Sequence, residues 1–254
     1  MAVCLLPDVA LEVLGRWWDG NAVRLADGTP GVHVVRYRPS RWARIAPWPL
    51  GLASVTEVGD ADVSRAQVAL IVAGALRREA YREALVASYV WGKGKRGSPG
   101  GSGPAVLRKI LAVEGLEAVL ADAVIALGEQ GAVAAYARLR GRVAWFGPSF
   151  YTKFLYFAGK AVPPAVGPPP LILDRVVARR LRALAQAVGR ETGHDPDGSI
   201  ARWVWGNGNW SPHRYAVYLS FMHAAARQMA ATNAWPSDAS PDLLEYALFS
   251  TTWQ

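Results

Sequence analysis

The 254-residue chain contains one cysteine, Cys4, and only four histidines. A single cysteine excludes an internal disulfide, a cysteine-ligated zinc site and an iron–sulfur cluster. His33, His194, His213 and His223 show no HExxH and no paired metal spacing, so they read as structural or solvated residues. No uninterrupted apolar run approaches the roughly 20 residues of a membrane span. The opening stretch, MAVCLLPDVALEVLG, lacks a basic region and is interrupted by Asp8 and Glu12, unlike a signal peptide. These absences predict a cytoplasmic protein with no membrane partner. The glycine-rich stretch 92–103 lacks Gly-Lys-Ser/Thr and no strand clearly precedes it, which argues against a nucleotide hydrolase. Ser102 does not sit in G-x-S-x-G. Acidic residues are also in short supply, 20 against 28 basic ones, for a net charge of +8. That imbalance favours a polyanionic partner.

Hydrophobic residues make up 52% of the chain, and eleven are tryptophans. Some of these rings belong to a core, but flat aromatics in a basic protein also suit stacking on nucleobases. The pattern predicts a mostly helical, all-α fold with a small β element near the N-terminus. Residues 1–60 read as irregular, with a short hairpin in NAVRLADGTPGVHVVRYRPSRW around the DGTPG turn. Apolar spacing predicts a helix from Val63 to Val90, with Asp62 or Ser64 as its cap. Helices are expected over 105–114, 116–127 and 129–140, and again over 175–189 and 212–232. A short helix closes the chain from Ser240 and Pro241. The proline connector PPAVGPPP, 163–170, is read as lying within one unit spanning 1–254, because the flanking helices are too few for separate cores.

The stretch LRGRVAWFGPSFYTK joins two helices through a short apolar turn ending in glycine. Backbone N–H groups at the start of such a second helix suit a DNA phosphate. Lys153 lies about one and a half turns into that helix. It is the one cation inside the oily run FGPSFYTKFLYFAG, before Lys160 at its end. Ser149, Lys153, Tyr156 and Lys160 share a narrow polar stripe by spacings of four, three and four. Downstream, in PPPLILDRVVARRL, Asp174 follows an apolar triplet and opens a helix, an N-cap position. Arg175, Arg179 and Arg182 then recur on one face, either to meet phosphates or as a solvated basic face.

With VAWFGPSFYTKFLYFAG as hairpin and PLILDRVVARRL as aspartate segment, the chain resembles the helix-hairpin-helix DNA glycosylases, in particular the 8-oxoguanine DNA glycosylases. The segments 130–160 and 171–190 carry the match within a resemblance that covers about 80–190. The resemblance implies a glycosylase, with AP-lyase activity, that flips a damaged purine such as 8-oxoguanine out of double-stranded DNA. It implies Lys153 as nucleophile and Asp174, twenty-one residues later, as the assisting carboxylate. A neutral amine is needed, and apolar surroundings favour the neutral form of a lysine in general.

Two departures stand out. Trp145 replaces the first glycine of the usual hairpin, and Ser149 stands where the family's lysine usually lies, one helical turn before Lys153. DNA contacts are expected from Lys93, Lys95, Arg96, Phe146, Gly147, Ser149, Arg175 and Arg179, with Arg108 and Lys109 in support. Phe146, Trp205, Trp210, Phe221 and His223 are the base-pocket residues so implied. No organic cofactor or catalytic metal is implied, beyond a structural monovalent cation at the hairpin. A monomer, associated with the nucleoid through DNA, is the expected state. The competing readings are a glycosylase of the same fold for another modified base, including one in foreign DNA, a non-catalytic hairpin DNA-binding protein, and a helical scaffold.

Overall fold

The computed structural model describes residues 5–94 and 103–251. Among the described residues, α1 (Asp8–Asp19) comes first, followed by β1 (Val34–Tyr37) and β2 (Ala61–Ser64). Six helices succeed them: α2 (Arg65–Arg77), α3 (Tyr81–Lys93), α4 (Gly103–Leu111), α5 (Leu116–Gln130), α6 (Ala132–Leu139) and α7 (Pro148–Ala161). The chain ends with α8 (Arg175–Thr192), α9 (Ser199–Val204), α10 (Pro212–Ala230) and α11 (Pro241–Ser250). The fold is mostly α, with one two-stranded sheet near the N-terminus. None of the helices is long and apolar enough to cross a membrane, among the described residues.

The chain divides into two compact units: residues 31–170, and residues 1–30 together with 171–254. The second break falls at the end of the proline connector 163–170. Within the first unit that connector is packed rather than loose: Ala165 N–H donates to the Gly128 carbonyl, and the Pro170 ring fills the space beside Gly159.

The 31–170 unit is built on α2, α3, α5, α6 and α7. Ser64 caps α2 through a reciprocal pair, its hydroxyl accepting from Gln67 N–H while Gln67 Oε1 accepts from Ser64 N–H. The single helix expected over 63–90 is two helices. Glu79 takes a left-handed φ of +55°, and Ala80 N–H returns to the Ala75 carbonyl, so the chain folds back and α3 packs on α2. Apolar periodicity runs through the break because both helices bury a face there.

The β element also differs from expectation. β1 pairs antiparallel with β2, Val34 opposite Ser64, rather than across the DGTPG turn. Leu25, just before that turn, is fully buried in the other unit, so no strand precedes β1 there. The segment expected to be irregular holds α1, whose Ala10 and Leu14, four apart, are both buried. Gly15 sits in its middle, where a Cβ would come within 3.2 Å of the Ala234 Cβ. A six-residue helix, α9, was likewise not expected. Its first-turn amides are held by Asp195, which accepts from Ile200 and Ala201.

Candidate active site

α6 and α7 pack on one another around the turn 140–147. The Phe146 ring is buried against the edge of Tyr151, and the turn closes on itself, with Arg142 N–H on the Leu139 carbonyl and Phe146 N–H on the Val143 carbonyl. Gly147 is the exposed N-cap of α7 and Pro148 its first residue, where a missing N–H costs nothing. Trp145 holds a φ of +68° at the tip and is exposed, with the Lys109 ammonium 4.4 Å from its ring centroid.

Residues 151–158 of α7 are all buried, and Lys153 is among them, only 6% exposed. Its ammonium donates to the Ser149 carbonyl one turn back at 3.0 Å and lies 6.0 Å from the Phe150 ring centroid. Tyr89 of α3 stacks on that ring at 4.3 Å. The stem of Lys153 runs over α3 at Gly92. A Cβ there would stand 2.5 Å from Lys153 Cδ and 3.2 Å from Cε, so only glycine leaves this path open. Ser149 thus takes part through its backbone: it anchors the amine that sits one turn further on.

Lys93, the last residue of α3, approaches the same ring, its ammonium 5.6 Å from the Phe150 centroid. It is half-buried, and desolvation lowers its pKa below the ordinary lysine value. Gly103 makes room for its stem, since a Cβ there would lie 2.6 Å from Lys93 Cγ. Phe150, Tyr89, Gly92 and Gly103 were not singled out in the sequence. Only the packing of α3 on α7 and of α4 on α3 reveals them, although the GKG spacing after Trp91 marks the place.

Asp174 belongs to the other unit. It is the N-cap of α8, and its Oδ1 accepts from Val176 N–H at 2.9 Å and Val177 N–H at 3.1 Å. The extended stretch Leu171–Asp174 leading to it is buried throughout. Three side chains grip its backbone: Tyr215 and Tyr218 of α10 donate to the Leu171 and Ile172 carbonyls, and Glu245 of α11 accepts from Ile172 N–H. Asp174 is therefore presented from a fixed strut.

Arg175 and Arg179 are exposed on α8. Lys95 and Arg96 lie outside the described residues. Trp210 is 1% exposed, and its indole N–H donates to the Gly206 carbonyl at 2.7 Å, which makes it a core ring here. Trp205 packs edge-on against Tyr218, also buried. Phe221 and His223 are half-buried on α10. No group of three or more metal-ligating side chains occurs among the described residues.

A family model described as "Putative 8-oxoguanine DNA glycosylase OGG-like protein" matches residues 28–249. No curated protein and no solved structure matches significantly.

Proposed function

We propose a function for a chain that belongs to the OGG-like family of 8-oxoguanine DNA glycosylases, and is by that membership a DNA-binding glycosylase. The proposal is that it excises an oxidised purine such as 8-oxoguanine from duplex DNA and then nicks the strand, with Lys153 as nucleophile. The observation that carries it is the buried Lys153 amine on the Phe150 ring, with Gly92 cleared for its stem. A lysine needed only for solubility or phosphate contact gains nothing from such burial.

The chemistry follows from that placement. The target nucleotide leaves the stack, since its C1′ is not accessible inside the duplex. The nucleophile is the lone pair of the Lys153 amine, whose nitrogen is also placed by its hydrogen bond to the Ser149 carbonyl. That pair forms the Nζ–C1′ bond while the N-glycosidic bond breaks, and its electrons leave with the base, which takes up a proton. Positive charge grows on the sugar in this step. Asp174 is proposed to stabilise it with its carboxylate, which the cap on Val176 and Val177 holds in place. The sugar ring then opens to the lysine imine, loses a C2′ proton, and expels the 3′ phosphate by β-elimination. The exposed start of α7 and the arginines of α8 supply phosphate contacts that fix position without reading sequence.

Borohydride reduction on duplexes carrying 8-oxoguanine, uracil, an alkylated base or an abasic site tests the proposal. Wild type should become covalently trapped on 8-oxoguanine DNA, and Lys153→Ala should lose base excision. Full excision by Lys153→Ala rejects the nucleophile. Excision of uracil or an alkylated base in place of 8-oxoguanine rejects the substrate.

A further inference from the structure

We infer that Lys93 is a second imine-forming amine in the Lys153 pocket, one that captures the abasic-site aldehyde left when the base has gone. This rests on the glycosylase reading above and adds a residue and a substrate to it.

Three observations meet at Lys93. First, its ammonium and that of Lys153 approach one ring, Phe150, at 5.6 Å and 6.0 Å from the centroid. Tyr89 is stacked on that ring at 4.3 Å, so the surface the two amines share is a packed aromatic pair. Second, the approach is built: Gly103 clears the Lys93 stem as Gly92 clears that of Lys153, and a Cβ at Gly103 would also press on Trp42 at 3.2 Å. Third, the two lysines differ in access. Lys153 is buried, whereas Lys93, the last residue of α3, is half-buried. Burial nevertheless costs its ammonium solvation and enlarges the neutral fraction, which an imine-forming amine requires.

A phosphate-binding lysine gains from neither the low-polarity ring nor the desolvation, because it acts as a charge. The step uses only the product of base excision. Lys93 Nζ adds to C1′ of the ring-opened aldehyde, the carbinolamine loses water, and the imine forms. Removal of a C2′ proton then releases the 3′ phosphate, and hydrolysis returns the amine.

The test maps reduced adducts by peptide fragmentation after borohydride treatment with an abasic-site duplex. Lys153→Ala should still be trapped, with the cross-link on Lys93. Adding Lys93→Gln in that background should abolish trapping. Because Lys153→Ala opens space in a packed core, the same mapping is done on wild type, where adducts on both Lys93 and Lys153 are expected. Wild type that excises the base but carries no adduct on Lys93, or a double variant trapped as fully as Lys153→Ala, overturns the assignment and leaves the Lys153 reading standing. Wild type that neither excises a base nor traps overturns both.

Discussion

Lys153 and Asp174 are both buried ionisable residues near the start of a helix, yet their helices treat them differently. Asp174 stands before the first turn of α8, where two backbone amides satisfy it. A carboxylate there is stabilised by the helix whether or not it has any further task. Lys153 stands inside α7, on an aromatic surface, its ammonium donating to the Ser149 carbonyl one turn back. Lys153 is admitted there because α3 carries no side chain at Gly92. Helix capping accounts for an aspartate at position 174, whereas no helix-end requirement calls for a lysine at 153. Loss of activity on changing Lys153 therefore bears on chemistry directly, whereas at Asp174 the cap must first be separated from the charge.

Asp174→Asn makes that separation and should have the largest effect. Asparagine caps a helix about as well as aspartate, so the melting temperature should hardly move. Loss of a charge aimed at a developing cation should lower excision at saturating DNA by about 10²–10³-fold. Asp174→Ala should add a stability loss of about 1 kcal/mol, read from urea unfolding. Equal activity in wild type and Asp174→Asn would reduce the residue to a cap and remove it from the mechanism.

Gly92→Ala comes next and probes the lysine side. The added methyl would meet Lys153 Cδ, a flexible stem that can swing aside, so stability should change little. The amine, however, would be displaced by an ångström or so. Misplacement on that scale costs about 10²-fold in rate. Single-turnover excision measures it. Unchanged turnover would mean that the observed path of Lys153 is not the reactive one.

These two variants also mark how far the sequence could be read. Lys153 drew attention as a lone cation in an apolar run, and Asp174 as a cap residue before a helical pattern, since both signals are local. Gly92 could not be recognised in the same way. Its importance lies in a contact between α3 and α7, and a glycine followed by KGKRG looks like the start of a loop. Nor could the grip on Leu171–Asp174, whose partners Tyr215, Tyr218 and Glu245 come from helices far along the chain. The break at Glu79 escaped for a related reason: both flanking helices bury a face, so the apolar period crosses the turn unbroken. Local chemistry named the proposed reacting groups, and tertiary packing chose the residues that hold them.

A third test asks whether the lysine surroundings are as desolvating as the contrast requires. The Tyr89 hydroxyl, on the ring stacked against Phe150, has no hydrogen-bond partner among the described residues. Burial pushes its pKa up to about 12. An unfolded tyrosine ionises near pH 10. Between about pH 10 and 12 the unfolded chain gives up this proton while the folded chain keeps it, so stability falls as pH rises, by about 2–3 kcal/mol in all. Below about pH 10 both states hold the proton and the contribution is flat. Urea midpoints of wild type and Tyr89→Phe should therefore run parallel at lower pH and diverge in favour of the phenylalanine above it. Parallel curves throughout would show a wetter α3–α7 face and weaken the case for Lys93 and Lys153 together.

The smallest effect concerns how the two helices are entered. The chain reaches α8 through Asp174 in extended conformation, φ −119°, which any residue adopts. It reaches α7 through Trp145 at φ +68°, a conformation that costs a side-chain-bearing residue about 1–2 kcal/mol. Trp145→Gly removes that strain. It also frees the unfolded chain, which offsets up to about 1 kcal/mol, and it deletes the Lys109 contact, worth about 0.5 kcal/mol at an exposed ring. The terms nearly cancel, leaving a change within about 0.5 kcal/mol of zero, read as a urea midpoint that hardly moves. A fall instead would mean that the Lys109–Trp145 stack outweighs the strain. The tip would then be held by an interaction the usual glycine could not make, which would be a structural reason for tryptophan to stand in its place.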